Sequence, residues 1–254
     1  MNGLSPWRVE VLRITRTRRL LALAFLYLFL GASGPLTARY ARAIFARLSD
    51  GSTVTVTVAD PVPADGILGF QRSAMQLGLV ACVVVTALAV CLDARPPLSV
   101  FYRTRAPVSR VLVPRLAITL LTTGATYSLG FLFAWYETWA LLGAPDPSAT
   151  VRTWGLGLAY TSFGVILAFI ASARFGSALG TAGATIAAVL LMPVLGGVRA
   201  LSHWVPSRLT TLPSDLYGKP APDSALPALA VAATVAAIGV PLALRLTARR
   251  RGVR

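Results

Sequence analysis

The chain has 254 residues, of which 56% are hydrophobic and only 13% are charged, and its formal net charge is +15. Because soluble domains typically carry about 25% charged residues, this composition excludes an ordinary soluble protein. A basic excess also occurs in nucleic-acid-binding proteins, but here the arginines flank apolar segments, as membrane topology requires, so we expect no nucleic-acid partner.

Six apolar stretches are each long enough to cross a bilayer, since about 20 helical residues span the hydrocarbon layer. None has a charged residue at its centre. They cover residues 20–36, 75–92, 116–142, 154–173, 178–198 and 225–244. The sequence therefore predicts an all-α membrane protein with six transmembrane helices, in which residues 1–254 form a single transmembrane domain.

The basic residues are distributed unequally between the two sides of these spans. Of the 24 lysines and arginines, sixteen lie near the two termini or in loops 93–115 and 174–177, and eight lie on the opposite side. Short cytoplasmic loops are enriched in basic residues, so both termini are expected to be cytoplasmic.

Residues 4–19 precede the first span and have a helical pattern. Leu4, Trp7, Val11 and Ile14 recur at helical spacing, which predicts an amphipathic helix in the membrane interface. A plain basic anchor for the first span is an equally good interpretation.

Residues 37–74 form the longest polar segment and are predicted to be an external capping loop. Within it, residues 52–58 alternate as a β-strand would, but one isolated strand cannot form a domain. Just before this segment, Gly31-Ala-Ser-Gly34 matches the GxSG of rhomboid-type intramembrane proteases, which need a histidine in a later span. The sole histidine is His203, outside the spans, so we interpret the tetrapeptide as relaxing the helix before Pro35.

Loop 93–115 combines apolar and basic residues after the break at Pro96-Pro97. A short helix of this kind is suited to docking a soluble partner on the cytoplasmic face. Alternatively, its arginines only set the topology of the neighbouring spans.

Threonines in the third span lie on one helical face, and Thr119, Thr123 and Thr126 are candidates for lining a pathway through the membrane. The alternative is packing, since a buried threonine usually bonds the carbonyl one turn earlier in its own helix.

No catalytic or cofactor-binding constellation is found, so the chain is not expected to be an enzyme or to bind a metal or cofactor. The sole lysine, Lys219, is followed by Pro220, and no phosphate-binding P-loop motif occurs. Any uphill transport would therefore need energy from another chain.

Three segments, in this order along the chain, resemble elements of the ABC-2 type permease subunits of bacterial ATP-binding-cassette transporters. They are Glu10-Val-Leu-Arg-Ile-Thr-Arg-Thr-Arg-Arg-Leu20, Met75-Gln-Leu-Gly-Leu79 and Arg105-Ala-Pro-Val-Ser-Arg110. One segment departs from the family, because Asp93-Ala-Arg-Pro-Pro-Leu-Ser99 replaces its usual E-[RK]-x-x-G-T run.

The resemblance implies an exporter-like fold with a cytoplasmic coupling helix between spans two and three, in a bacterial cell membrane. It implies as partners a cytoplasmic ABC ATPase, a second permease copy or paralogue, and the lipid bilayer. The residues expected to couple to the ATPase are Leu98, Phe101, Tyr102, Arg103, Arg105, Pro107 and Arg110. The alternative is a membrane module, such as an assembly factor or sensor, that acts without an ATPase. The substrate is not specified by the sequence.

Overall fold

The computed structural model describes residues 5–48, 60–91, 107–218 and 224–252, and within these ranges the chain is all-helical and contains no strand. The helices are α1 (Pro6–Arg16), α2 (Arg19–Leu48), α3 (Pro63–Ser73), α4 (Leu79–Val90), α5 (Val108–Leu142), α6 (Pro147–Phe175), α7 (Ala178–Gly196), α8 (Arg208–Gly218) and α9 (Leu226–Gly252). A π-helical turn over Ala74–Gly78 joins α3 to α4, so the three segments form one continuous rod.

Six helical segments are long and apolar enough to cross a membrane, which confirms the predicted all-α, six-span architecture of a multi-pass membrane protein. They are Arg19–Ala41, Pro63–Val90, Val108–Leu142, Pro147–Phe175, Ala178–Gly196 and Leu226–Arg250. Five of them overlap the predicted stretches closely. Four extend beyond the predicted bounds by up to eight residues at an end, because helices continue into the less apolar flanks, whereas Ala178–Gly196 ends two residues earlier than predicted.

The second span begins much earlier than predicted. Residues 63–74 were assigned to the external loop, but Pro63–Ser73 is helical, with Ile67 and Phe70 buried. Pro63 is in the first turn, and the backbone N–H of Val62 donates to Asp65 Oδ2 at 3.0 Å. Proline and an acid in the first turn are helix-start signals, so the sequence did carry the correct boundary.

A cluster of buried apolar residues locates one end of the bundle. Ala89 of α4, Leu112 of α5, Phe169 of α6 and Ala243 of α9 pack together there. Arg13 of α1 bonds the Ala89 carbonyl, and α9 ends shortly after Ala243, so the two termini share one side, as the alternation of six spans requires. That this side is cytoplasmic stays a prediction from the charge distribution.

The glycines of the GxSG tetrapeptide are sites of close helix packing, and the interpretation that they relax the end of the first span is wrong. Helix α2 continues through Pro35 to Leu48. A Cβ on Gly31 would lie 2.6 Å from the carbonyl oxygen of Gly130 in α5, and one on Gly34 would lie 2.5 Å from the backbone nitrogen of Phe70 in α3. These glycines therefore let three helices approach at backbone distance, as small residues do in membranes.

Two predicted features at the N-terminal half have different outcomes. Residues 4–19 were expected to be helical, and α1 confirms this for Pro6–Arg16, with Trp7 and Val11 exposed. Its placement in the membrane interface stays a prediction. The alternating segment 52–58 lies outside the described residues.

Candidate functional site

A buried acidic residue lies on α1. Ser5 caps the helix, its Oγ accepting from the backbone N–H of Arg8, and Pro6 occupies the first turn. Glu10 then falls on the face turned towards α5, and the residue is only 5% exposed. A buried carboxylate needs cationic or hydrogen-bond partners, because desolvation of an isolated charge is very costly.

Two arginines supply those partners. Arg115 Nε donates to Glu10 Oε1 at 2.6 Å, across 105 residues of sequence, and both side chains are nearly fully buried. Arg13 Nη1 donates to Glu10 Oε2 at 3.2 Å from one turn further along α1, and its side chain is 28% exposed. One carboxylate thus bridges two guanidinium groups. We call Glu10, Arg13 and Arg115 the ion cluster.

The arginines of the ion cluster also cap the C-terminal end of α4. The carbonyl oxygen of Ala89 accepts from Arg13 Nη1, Arg13 Nη2 and Arg115 Nη1, each at 3.3 Å. The Leu88 carbonyl accepts from Arg13 Nη2 at 3.4 Å. Carbonyls in the last helical turn lack partners within the helix, and cations there also interact favourably with the helix dipole. The cluster therefore joins α1, the end of α4 and the beginning of α5 into one unit.

The two guanidinium groups oppose each other electrostatically. Burial of the Arg13 side chain, together with the neighbouring Arg115 charge, lowers the pKa of Arg13 from its ordinary value. The Glu10 carboxylate acts in the opposite direction, through its charge and its hydrogen bond. Glu10 is thus the residue on which the arrangement depends, since it attracts two cations that repel each other.

The predicted threonine face lies beside this cluster. Thr119 and Thr123 line, with Glu10 and Arg13, a cavity of about 20 Å³, which has room for about one water molecule. Thr119, Thr123 and Thr126 are all buried, and each hydroxyl donates to the carbonyl four residues earlier, at 2.7, 2.8 and 3.0 Å. These hydrogen bonds are the ones expected if the threonines serve helix packing, and a role in lining a pathway stays a prediction.

The predicted coupling residues between 98 and 105 lie outside the described residues. Of the other two, Pro107 precedes the first turn of α5 and Arg110 lies within that turn, and both are exposed. Arg115 was placed in the loop 93–115 before the third span, and this placement is wrong, because the residue is inside α5 and buried.

Sequence reasoning did not single out Glu10. The available signal was its isolation, since it is the only acidic residue among the first 49 residues, in a segment rich in arginine. Its partner in the third span could not be identified from this pattern, because no local spacing relates positions so distant in sequence.

Comparison with protein-family models, with curated proteins and with solved structures finds no match for this chain. Within the described ranges, no group of three or more histidine, cysteine, aspartate or glutamate side chains could hold a metal ion. The spans and the ion cluster are therefore the features of the described residues that bear on function.

Proposed function

We propose that the chain is the permease subunit of a bacterial ATP-binding-cassette exporter, which forms the membrane pathway and is driven by a separate ATPase. In this proposal both termini are cytoplasmic, and a second permease copy or paralogue completes the pathway. The observation that carries the proposal is the ion cluster, in the context of six apolar spans.

The position of the cluster fits mechanical coupling. Helix α4 ends at Val90 and α5 begins at Val108, so segment 92–106 connects in sequence the two helix ends that the cluster joins. A force applied to this segment would be transmitted to both spans and to α1 together. Switching transporters need such rigid elements, because the energy of a partner must move whole helices and not only a loop.

The chemistry of the chain favours a separate energy source. The sequence contains no P-loop, and its candidate docking segment contains Arg103 and Arg105 beside Phe101 and Tyr102. Aromatic residues and arginine contribute a large share of the binding energy at protein interfaces. An acidic surface on a cytoplasmic ATPase is the complementary partner.

The first experiment is to purify the tagged chain from its native host in mild detergent and to identify the proteins that accompany it. We expect a P-loop ATPase in stoichiometric amount, with ATP turnover by the complex. Repeated purification without an ATPase, under conditions that preserve a known transporter complex, would contradict the proposal and favour a membrane module that acts alone.

A matched pair of variants tests the docking segment. Replacing Arg103 and Arg105 by glutamate should abolish recovery of the ATPase while membrane insertion stays intact. Replacing Arg152 and Arg199 by glutamate gives the same change of charge at exposed positions on the predicted opposite side, and should leave recovery unchanged. Equal loss in both variants would show that net charge, not this segment, governs the association.

A further inference from the structure

A cavity of about 550 Å³ lies between the rod of α3 and α4, the middle of α6, the second half of α7 and the beginning of α8. This volume is within the range of about 300–1,000 Å³ found for small-molecule sites. The polar side of its lining contains Gln71, Arg72, Gln76, Thr210, Thr211 and Ser214. The rest is mainly apolar, including Val83, Ile186 and Val189.

The polar side contains hydrogen-bond donors without protein partners. Gln71 is 2% exposed, and its Oε1 accepts from Tyr127 Oη at 2.8 Å. Its Nε2 has no hydrogen-bond partner, although a buried amide normally has one. Arg72, the next residue, has no ion-pair partner in the part of the chain that the structure describes. Nε2 is inaccessible and lies against Gly157 of α6, so the donor that the cavity offers to a ligand is the exposed guanidinium of Arg72, which suits an anionic group.

The mouth of the cavity is bordered by apolar side chains. Leu77 and Leu190 line it and are 62% and 67% exposed, and Val80 is 40% exposed. Both helices that carry them are candidate membrane spans, so these residues face lipid rather than water. Arg72 and Gln76 line the same cavity and are also exposed, so a ligand that fills it meets polar groups and lipid-facing apolar side chains together, which matches an amphiphile from the bilayer.

The position of Arg72 along the second span agrees with a ligand that comes from the bilayer. The rod Pro63–Val90 has 28 residues and is about 42 Å long, which matches a bilayer including its headgroup regions. Arg72 lies about 14 Å along the rod from Pro63. Its long side chain can extend back towards the headgroups while its stem stays in apolar surroundings.

The hydroxyl side chains on α8 favour one kind of lipid headgroup over another. Thr210, Thr211 and Ser214 each donate to a carbonyl of their own segment, at 2.7, 3.1 and 2.6 Å. Their oxygens therefore remain available as acceptors. They suit a ligand that carries its own hydroxyl donors beside an anionic group.

We propose that this cavity binds an anionic phospholipid from the bilayer, with the phosphodiester on Arg72 and Gln76, free headgroup hydroxyls on the oxygens of α8, and an acyl chain along Val83, Ile186 and Val189. The proposal is independent of the ATPase and of the transport function. It makes the cavity a lipid site on the side of the protein opposite the ion cluster.

The test is a titration of the purified chain, in detergent and without any ATPase, followed by native mass spectrometry. The probes are dioleoyl phosphatidylglycerol, which is anionic and has free hydroxyls, and dioleoyl phosphatidylcholine, which is zwitterionic and has none. We expect phosphatidylglycerol to bind about tenfold more tightly, because both lipids present the phosphodiester to Arg72 but only phosphatidylcholine brings a choline cation that repels the guanidinium, and only phosphatidylglycerol has hydroxyls for the oxygens of α8. Equal affinity for the two lipids would overturn the proposal.

Variants separate the site from a general attraction of the basic chain. Arg72→Gln should reduce the preference to about twofold or less. Arg199→Gln removes the same charge from an exposed position on the same predicted side and should retain the preference. Equal loss in both variants would refute a specific site.

Two further arms test the lipid itself and keep the proposal testable if Arg72→Gln fails to fold. Ile186→Trp fills the apolar part of the cavity and should weaken phosphatidylglycerol binding with Arg72 intact; unchanged binding would refute the assigned position of the acyl chain. Inorganic phosphate in excess should not displace the lipid. Displacement would show an anion site instead of a lipid site.

Discussion

Replacing Glu10 by glutamine removes the charge of the ion cluster while keeping the volume of the side chain. Glu10 and Arg115 are 7% and 6% exposed at the side chain, so solvent screening is small. Removing one partner of such a buried pair typically costs about 3–5 kcal/mol, because the remaining charge is desolvated without its counter-charge. Here the remaining charges also include Arg13, which repels Arg115. We expect Glu10→Gln to lower the free energy of unfolding by about 3 kcal/mol.

The assay is equilibrium unfolding in mixed micelles titrated with sodium dodecyl sulfate, followed by loss of helicity and by tryptophan fluorescence. Thermal unfolding in mild detergent gives a second readout, for which about 3 kcal/mol corresponds to a decrease of about 6–12 °C. Arg16→Gln is the matched control, because Arg16 is exposed in the last turn of the same helix. It should change the stability by less than about 0.5 kcal/mol.

A double-mutant cycle tests whether the pair itself is responsible. Arg115→Gln alone should also destabilise strongly, whereas combining it with Glu10→Gln removes both charges and should recover about 2 kcal/mol of the summed losses. Arg13→Gln should cost about 1 kcal/mol or less, because its side chain is more exposed and its distance to Glu10 is longer, at 3.2 Å. If the two losses add within about 0.5 kcal/mol, the ion-pair reasoning is refuted.

Two other regions give predictions of a different kind. Gly130→Ala should destabilise the protein by about 1–3 kcal/mol in the same unfolding assay, because its Cβ would lie 2.5 Å from the Tyr27 carbonyl oxygen. The control is Gly155→Ala, which should leave the stability unchanged, because a Cβ there meets nothing within 4 Å. Equal effects of the two variants would contradict the close packing of α2 and α5. At the start of α6, the pKa of Asp146 is held below its ordinary value by the backbone N–H of Ala149 and the hydroxyl and N–H of its neighbour Ser148. The stabilisation by the ionised carboxylate is therefore present above the unfolded-state pKa of about 3.9 and is lost as the pH falls through the lowered folded-state pKa. Asp146→Ala should lower the melting temperature at pH 7 but not at pH 2. The same decrease at both pH values would count against the ionised cap.

The sequence by itself was sufficient for the number and approximate position of the spans. Length and apolar composition are local properties, and a bilayer of fixed thickness selects helical segments by those two properties alone. The same reasoning predicted that the two termini share one side, and the structure brings α1 to the Ala89 carbonyl through Arg13 and brings Ala243 of α9 into the same cluster as Ala89. It failed at Pro63–Ser73, because Asp65 and Arg72 within the segment, together with Asp60 just before it, made this region polar enough to be assigned to a loop.

The tertiary structure decided which of the polar and small residues matter to one another. Glu10 pairs with Arg115 across 105 residues, and Gly31 packs against the Gly130 carbonyl. Gln71 accepts a hydrogen bond from the Tyr127 hydroxyl. No period of 3.6 residues relates such positions, so each appears in the sequence only as an isolated acid, glycine or amide. Their partners are fixed when whole helices pack, because charges and backbones buried among apolar residues are stable only where another helix supplies what the lipid cannot.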